Sequence, residues 1–220
     1  SDRPYLRERW LDKPLEYLTD AHPGSDGISA ILTARSQVIV AKTDGSRLVE
    51  IKTPAASRTR GAILNHAGTK VYALNDATGV MEIWSFAADG SDQSQQLTRD
   101  GSVFRWNLYL SPDENTLAYD DKAGDLWLLD IKSGKQQKIA SGNNAQSPFA
   151  HVVWSADSKY IALTRNFQAD ERSRICIYDL GNQKEFVLTS DKYNSFAPSF
   201  SPDGAWLYFL SDRQFNPFPG

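Results

Sequence analysis

The sequence predicts an all-β chain, a β-propeller of four-stranded antiparallel blades, and three observations carry that expectation. A turn motif recurs at intervals of 41, 46, 44 and 46 residues, with Asp26, Ala67, Asp113, Asp157 and Asp203 as equivalent positions. Such spacing falls within the roughly 40–50 residues of a propeller blade. Each copy is followed by the same run of short apolar strands, and no segment holds a helical period over about ten residues.

The turns come first. Leu110-Ser111-Pro112-Asp113-Glu114, Trp154-Ser155-Ala156-Asp157-Ser158 and Phe200-Ser201-Pro202-Asp203-Gly204 are clear copies; Gly24-Ser25-Asp26-Gly27 and Leu64-Asn65-His66-Ala67-Gly68 are weaker ones. In this motif proline presets φ, aspartate bonds its own backbone, and glycine accepts a positive φ. After the turns come Val71-Tyr72-Ala73-Leu74, Leu117-Ala118-Tyr119, Tyr160-Ile161-Ala162-Leu163 and Trp206-Leu207-Tyr208-Phe209. Third strands follow, such as Met81–Phe86, Leu126–Asp130 and Arg174–Asp179, and short closing strands end in Leu97-Thr98 or Leu188-Thr189. Both parities along these strands are apolar, so each sheet must be sandwiched by neighbours.

Four units span about 17–51, 52–97, 98–140 and 141–189, and a partial fifth spans 190–220 with its first two strands. The ring is therefore expected to be incomplete. Residues 1–16 read as a linker or as a strand closing the fifth blade. An open propeller exposes sheet faces and edges, so a homodimer through the open side, or cover by the termini, is expected.

Composition narrows the function. The chain has 220 residues, 40% apolar and 23% charged, with a net charge of −3, values of an ordinary folded protein. That balance gives no electrostatic reason for nucleic acid or an anionic membrane as partner. No apolar run approaches the ~18–20 residues of a membrane span, and Ser1-Asp2-Arg3-Pro4 does not read as a signal peptide. The one cysteine, Cys176, lies inside a strand pattern and reads as a buried, inert thiol.

Particular strings resemble the tricorn-type serine peptidases. Arg3–Trp10 looks like the stretch entering that family's second propeller. Thr33-Ala34-Arg35-Ser36-Gln37-Val38 is similar to its Ala-Arg-Gly-x-Ile/Val strand, with Ser36 in place of the usual glycine. Asn75–Trp84 and Tyr208–Pro217 match two further family patterns. The resemblance covers nearly the whole chain. It implies a propeller of about seven blades in a large serine peptidase that degrades oligopeptides. The propeller would gate or channel unfolded peptides toward an active site elsewhere. Family catalytic residues lie in segments absent here, so no catalytic residue is carried over. Relatives imply a cytoplasmic location, or a periplasmic one if the full-length protein bears a signal peptide.

The residues themselves suggest no chemistry. Histidines stand at His22, His66 and His151 only, and no Gly-x-Ser-x-Gly elbow is present. Asp120-Asp121-Lys122-Ala123-Gly124-Asp125 lacks the ligand spacing of an EF-hand and reads as a turn. No metal or cofactor is expected. The candidates are innermost-strand residues lining an axial channel: Arg58, Arg60, Arg105, Trp106, Asn107, His151 and Phe196, with Thr59 and Ser195 beside them. Such a lining suits the carbonyls and carboxyl ends of peptides; the arginines could equally pair at blade ends. Two other readings compete, a TolB-like propeller acting as a protein-docking scaffold and the propeller of a prolyl-oligopeptidase-type hydrolase.

Overall fold

A computed structural model describes residues 13–101, 103–142, 149–166 and 172–213. The strings Arg3–Trp10 and Gln214–Pro217 lie outside them. After a 3-10 turn at Pro14–Tyr17 the described residues form eighteen strands in five antiparallel sheets. The first blade holds β1 (Leu18–Pro23), β2 (Ser29–Ala34), β3 (Gln37–Lys42) and β4 (Leu48–Glu50). The second holds β5 (Thr59–Leu64), β6 (Lys70–Asn75), β7 (Glu82–Ala87) and β8 (Ser94–Gln96). The third holds β9 (Arg105–Leu110), β10 (Thr116–Asp121), β11 (Asp125–Asp130) and β12 (Gln136–Ser141). The fourth holds β13 (Ala150–Trp154), β14 (Tyr160–Asn166), β15 (Ser173–Asp179) and β16 (Lys184–Val187). The fifth contributes β17 (Ser195–Phe200) and β18 (Leu207–Ser211). Four sheets are four-stranded and one is two-stranded, each in sequence order: a meandering propeller whose ring does not close.

The turn motif closes the first hairpin of the second to fifth blades in one way, whereas in the first blade Asp26 itself accepts from Ile28 N and Ser29 N. Ser111 Oγ donates to Asp113 Oδ1 at 2.6 Å and accepts from Thr116 N at 3.0 Å. Ser155 and Ser201 repeat this with Asp157 and Asp203. In the second blade the Asn65 carboxamide substitutes for the hydroxyl, accepting from the backbone N–H groups of Thr69 and Lys70 at 2.8 Å. The fourth turn residue has positive φ in all five blades, at Gly27, Gly68, Glu114, Ser158 and Gly204. Adjacent turns are tied together: Ser25 Oγ donates to His66 O, Asn65 Nδ2 to Glu114 Oε2, and Asp113 N to Ser158 Oγ.

Strand alternation builds the core between blades. Along β6, Val71 and Ala73 pack with Ile31, Val38 and Val40 of the first blade. Tyr72 and Leu74 turn the other way, onto Leu108, Leu117 and Tyr119 of the third. Along β10, Ala118 points away from those residues and joins Ile161, Leu163 and Cys176 of the fourth blade. A fully buried leucine is worth about 1.5–3 kcal/mol, so the second, third and fourth blades are stable because both their faces are covered. In the last blade β18 is exposed on both faces, with Phe209 at 44%. Trp206, Tyr208 and Leu210 are 65%, 60% and 58% exposed, although Tyr208 and Leu210 correspond in register to Tyr72 and Leu74, which are 2% and 0% exposed. Among the described residues no helix is long and apolar enough to cross a membrane.

Candidate functional site

The first strands β1, β5, β9, β13 and β17 adjoin one another in order and form the inner wall. Register shifts interrupt their pairing with the second strands, between Arg60 and Ile63, Ala150 and Val153, and Phe196 and Ser199. The extra residue of a bulge turns the strand and re-aims its side chains. Positive φ at Gly61, His151 and Ala197 marks the same place in three blades. The burial pattern follows: Thr59, Arg105, Phe149 and Ser195 are buried, as are Ala62, Leu108, Val152 and Pro198, and the two residues between each pair are the accessible ones.

That rule places the predicted candidates. Arg60, Trp106 and Phe196 hold one equivalent accessible position, and Asn107 and His151 hold the next. Arg58 precedes β5 and is exposed, its Nε 2.8 Å from Asp76 Oδ2 and its backbone N–H donating to Asp76 Oδ1 at 2.6 Å. Arg105 takes the buried position. Its side chain is 2% exposed and enters the junction of the second and third blades, where it donates to Met81 O at 2.9 Å and Glu82 Oε2 at 3.2 Å. It also bonds Asp100 and lies 5.2 Å from the Tyr119 ring centroid. Glu82 is completed by the Thr98 hydroxyl and by the backbone N–H of Gly101 at 2.7 Å.

Sequence reasoning missed two features. Asp120 is fully buried between the third and fourth blades, its oxygens accepting from Asn107 N at 2.9 Å and Phe149 N at 2.8 Å. Burial pushes its carboxyl up to about 6 against those lowering hydrogen bonds. The second is a cleft of about 740 Å³ where the first three blades meet, walled by the β2–β3 turn (Arg35, Ser36), by Arg58 and Arg60 of the second blade, and by Phe104 ahead of β9. The recurring basic character beside the turn Arg35-Ser36 was the available signal.

In that cleft Asp76 is engaged by Arg58, and Asp20 lies 3.0 Å from His22 Nε2. Arg60 stacks 4.7 Å from the Phe104 ring centroid and donates to Trp106 O at 3.3 Å; Arg35 lies 5.1 Å from the Tyr17 ring centroid. Among the described residues no carboxylate pairs with Arg35 or Arg60. Burial pulls the Arg60 guanidinium below its ordinary pKa, against the opposing charges of Asp20 and Asp120.

Among the described residues the three histidines stand apart from one another. His22 faces Asp20, His66 faces Glu114, and His151 faces Thr164. Cys176 is buried and burial pushes its thiol up to about 12. Among the described residues no cluster of His, Cys, Asp or Glu could hold a metal ion. The stretch Asp120–Asp125 is a turn only at Lys122–Gly124: Asp120 and Asp121 are buried at the end of β10, Asp125 opens β11, and Asp121 accepts from Trp127 Nε1 at 2.8 Å and Asp125 N at 3.0 Å.

Fold and inner wall together define a β-propeller module that presents basic, aromatic and amide side chains along one groove. Residues 18–219 match the family described as the tricorn protease second beta propeller domain, and the chain belongs to it. It is 22% identical over 219 residues to the tricorn protease of Thermoplasma acidophilum, covering 96% of this chain and 20% of that protein. A TolB homolog from Chlorobium chlorochromatii is 30% identical over 149 residues, covering 66% of this chain and 32% of the relative. The crystal structure of the tricorn protease superposes with a TM-score of 0.77 at 19% identity, over 94% of this chain and 20% of that one. The chain thus spans a third or less of these relatives.

Proposed function

We propose that this propeller is a non-catalytic segment of a serine-type peptidase and that it admits unfolded oligopeptides toward an active site carried elsewhere in the protein. The observation that carries this reading is the inner wall. Bulges turn Arg60, Trp106, Asn107, His151 and Phe196 to accessible places of the first strands, where guanidinium, indole, amide and ring surfaces meet an extended chain without cleaving it. Family membership supports the same reading.

A photoreactive benzophenone peptide, unstructured and incubated with the purified chain, tests it. Labelling mapped to the inner-strand residues, with the peptide recovered intact, is the expected result. Labelling confined to the outer strands, or cleavage of the peptide, would overturn it.

The TolB relative favours a second reading, a scaffold that docks folded proteins. The exposed Tyr208 and Leu210 of β18, with Trp206 just before it, fit such a use. Labelling by a folded partner at β18, with no labelling of the inner strands by peptide, would favour it.

A further inference from the structure

One buried place on the inner strands is filled differently at successive blade junctions. Thr59, Arg105 and Ser195 hold it in register, each opposite the last residue of the second strand (Asn75, Asp121 and Ser211), and Phe149 holds it just ahead of β13. Where the residue is large it closes the junction from within. Arg105 lies over the Tyr119 ring and meets Glu82, and Phe149 packs with Leu126 and Leu163. Where it is small, space remains. The cleft described above includes Thr59, and a cavity of about 380 Å³ includes Ser195.

The Ser195 cavity lies between the fourth and fifth blades and has the walls of the Arg105 niche with two exchanges. Phe209 takes the register place of Tyr119. Thr189 takes that of Thr98, its hydroxyl accepting from Ile175 N at 3.0 Å as Thr98 accepts from Ile83 N at 2.9 Å. The exchanges are serine for Arg105 and, just before those isoleucines, Arg174 for Glu82. Tyr193 and Leu188 complete the wall. Leu188 and Phe209 are exposed, so the cavity opens to solvent. Its size falls within the roughly 300–1,000 Å³ of ligand pockets.

We propose that this cavity receives an aromatic side chain of a bound peptide, its ring against Phe209, in the place that Phe149 fills from within one junction earlier. An aromatic ring gains from offset or edge contacts with Phe209 and Tyr193 beyond the area it buries. A guanidinium fits less well, because the carboxylate that holds Arg105 is replaced here by Arg174. Ser195 precedes Phe196 on β17, so the pocket adjoins the inner wall and would anchor a chain lying along it. This rests on the peptide-passage reading above.

The test is calorimetric titration of the purified chain with an unstructured hexapeptide, N-acetylated and C-amidated, made of glycine and serine around one phenylalanine. Its counterparts carry alanine or arginine at that position. The phenylalanine peptide is expected to bind about tenfold more tightly than either, the order that one buried ring and its ring contacts give. Ser195→Phe, which fills the pocket as Phe149 fills its own niche, is expected to abolish that preference. Phe209→Ala, at an exposed position, is expected to reduce it, with melting temperatures confirming that the variants fold. Should Ser195→Phe not fold, Phe209→Ala decides. Equal affinity for the phenylalanine and alanine peptides overturns the pocket while leaving peptide passage standing. An arginine peptide binding as tightly as the phenylalanine one overturns the assignment to rings. A preference that survives both substitutions places the ring elsewhere and overturns it as well. Binding of none of the peptides also overturns the pocket, and peptide passage is then decided by turnover in the full-length protein.

Discussion

Arg105 Nη1 lies 3.2 Å from Glu82 Oε2, and the two side chains are 2% and 1% exposed. The pair joins β9 of one blade to β7 of its neighbour, in a polar cluster completed by Asp100, the Thr98 hydroxyl and the Gly101 N–H. Removing one partner strands the other charge in the core, so Arg105→Ala is expected to lower stability by about 3–5 kcal/mol. Replacing both, as Glu82→Leu with Arg105→Met, is expected to recover most of that loss. Urea unfolding of the single and double variants measures it; an Arg105→Ala loss below about 1 kcal/mol would show that the pair is not buried as described.

Leu74 and Leu210 occupy the same register position in the second and fifth blades but are 0% and 58% exposed. Truncating a buried leucine to alanine costs about 2–5 kcal/mol, whereas an exposed one lies within about 0.5 kcal/mol. Leu74→Ala should be severe and Leu210→Ala nearly silent. The uncovered β18 face should also make the free chain self-associate, and Tyr208→Asp with Leu210→Asp should return it to monomer in sedimentation velocity.

Asp120 gives a pH dependence of unusual sign. Its folded carboxyl titrates near 6, above the ordinary value of about 3.9. The folded state therefore holds its proton more tightly than the unfolded one, and this group's contribution to stability falls as pH rises from about 4 to 6, by an order of 2–3 kcal/mol. Tyr109 and Arg60 feel its charge. Salt-bridged or turn-bonded carboxylates such as Asp76 and Asp113 are lowered and slope the other way, so the difference between the parent chain and Asp120→Asn isolates the effect. A flat difference between pH 4 and 6 would contradict the assignment.

Gly61 and Ala197 share one bulge position, with φ of +58° and +52°. A side chain at this φ is strained by about 1 kcal/mol. Gly61→Ala is expected to destabilise by about that amount and Ala197→Gly to stabilise by about half of it, offset by the flexibility glycine adds to the unfolded chain. Thermal unfolding checks the opposite signs.

The turn spacing and the two-sided apolar strands were legible because both depend on local chemistry. Asp113, Asp157 and Asp203 close the same turn that their sequences announce, and the alternation of Val71, Tyr72, Ala73 and Leu74 translates directly into two faces. The inner wall was harder to read. Strict alternation puts Arg105 and Asn107 on one face; the bulge instead buries Arg105 and Leu108 and leaves Trp106 and Asn107 between them. A bulge leaves little trace in sequence beyond a glycine such as Gly61. Glu82 and Asp120 were invisible because Arg105 and the Phe149 N–H reach them from neighbouring blades.

Passage of peptide along the inner wall is most directly tested in the full-length protein that carries this propeller. Ala150 is an exposed inner-strand residue in the place equivalent to Arg60, and Cys176 is buried, so with any accessible cysteine outside this chain replaced, Ala150→Cys can be coupled selectively to a bulky maleimide. Turnover of long unfolded peptides is predicted to fall about tenfold or more, with a short chromogenic substrate little affected, as expected when access limits the rate. Unchanged turnover of the long peptides after full coupling would contradict the account.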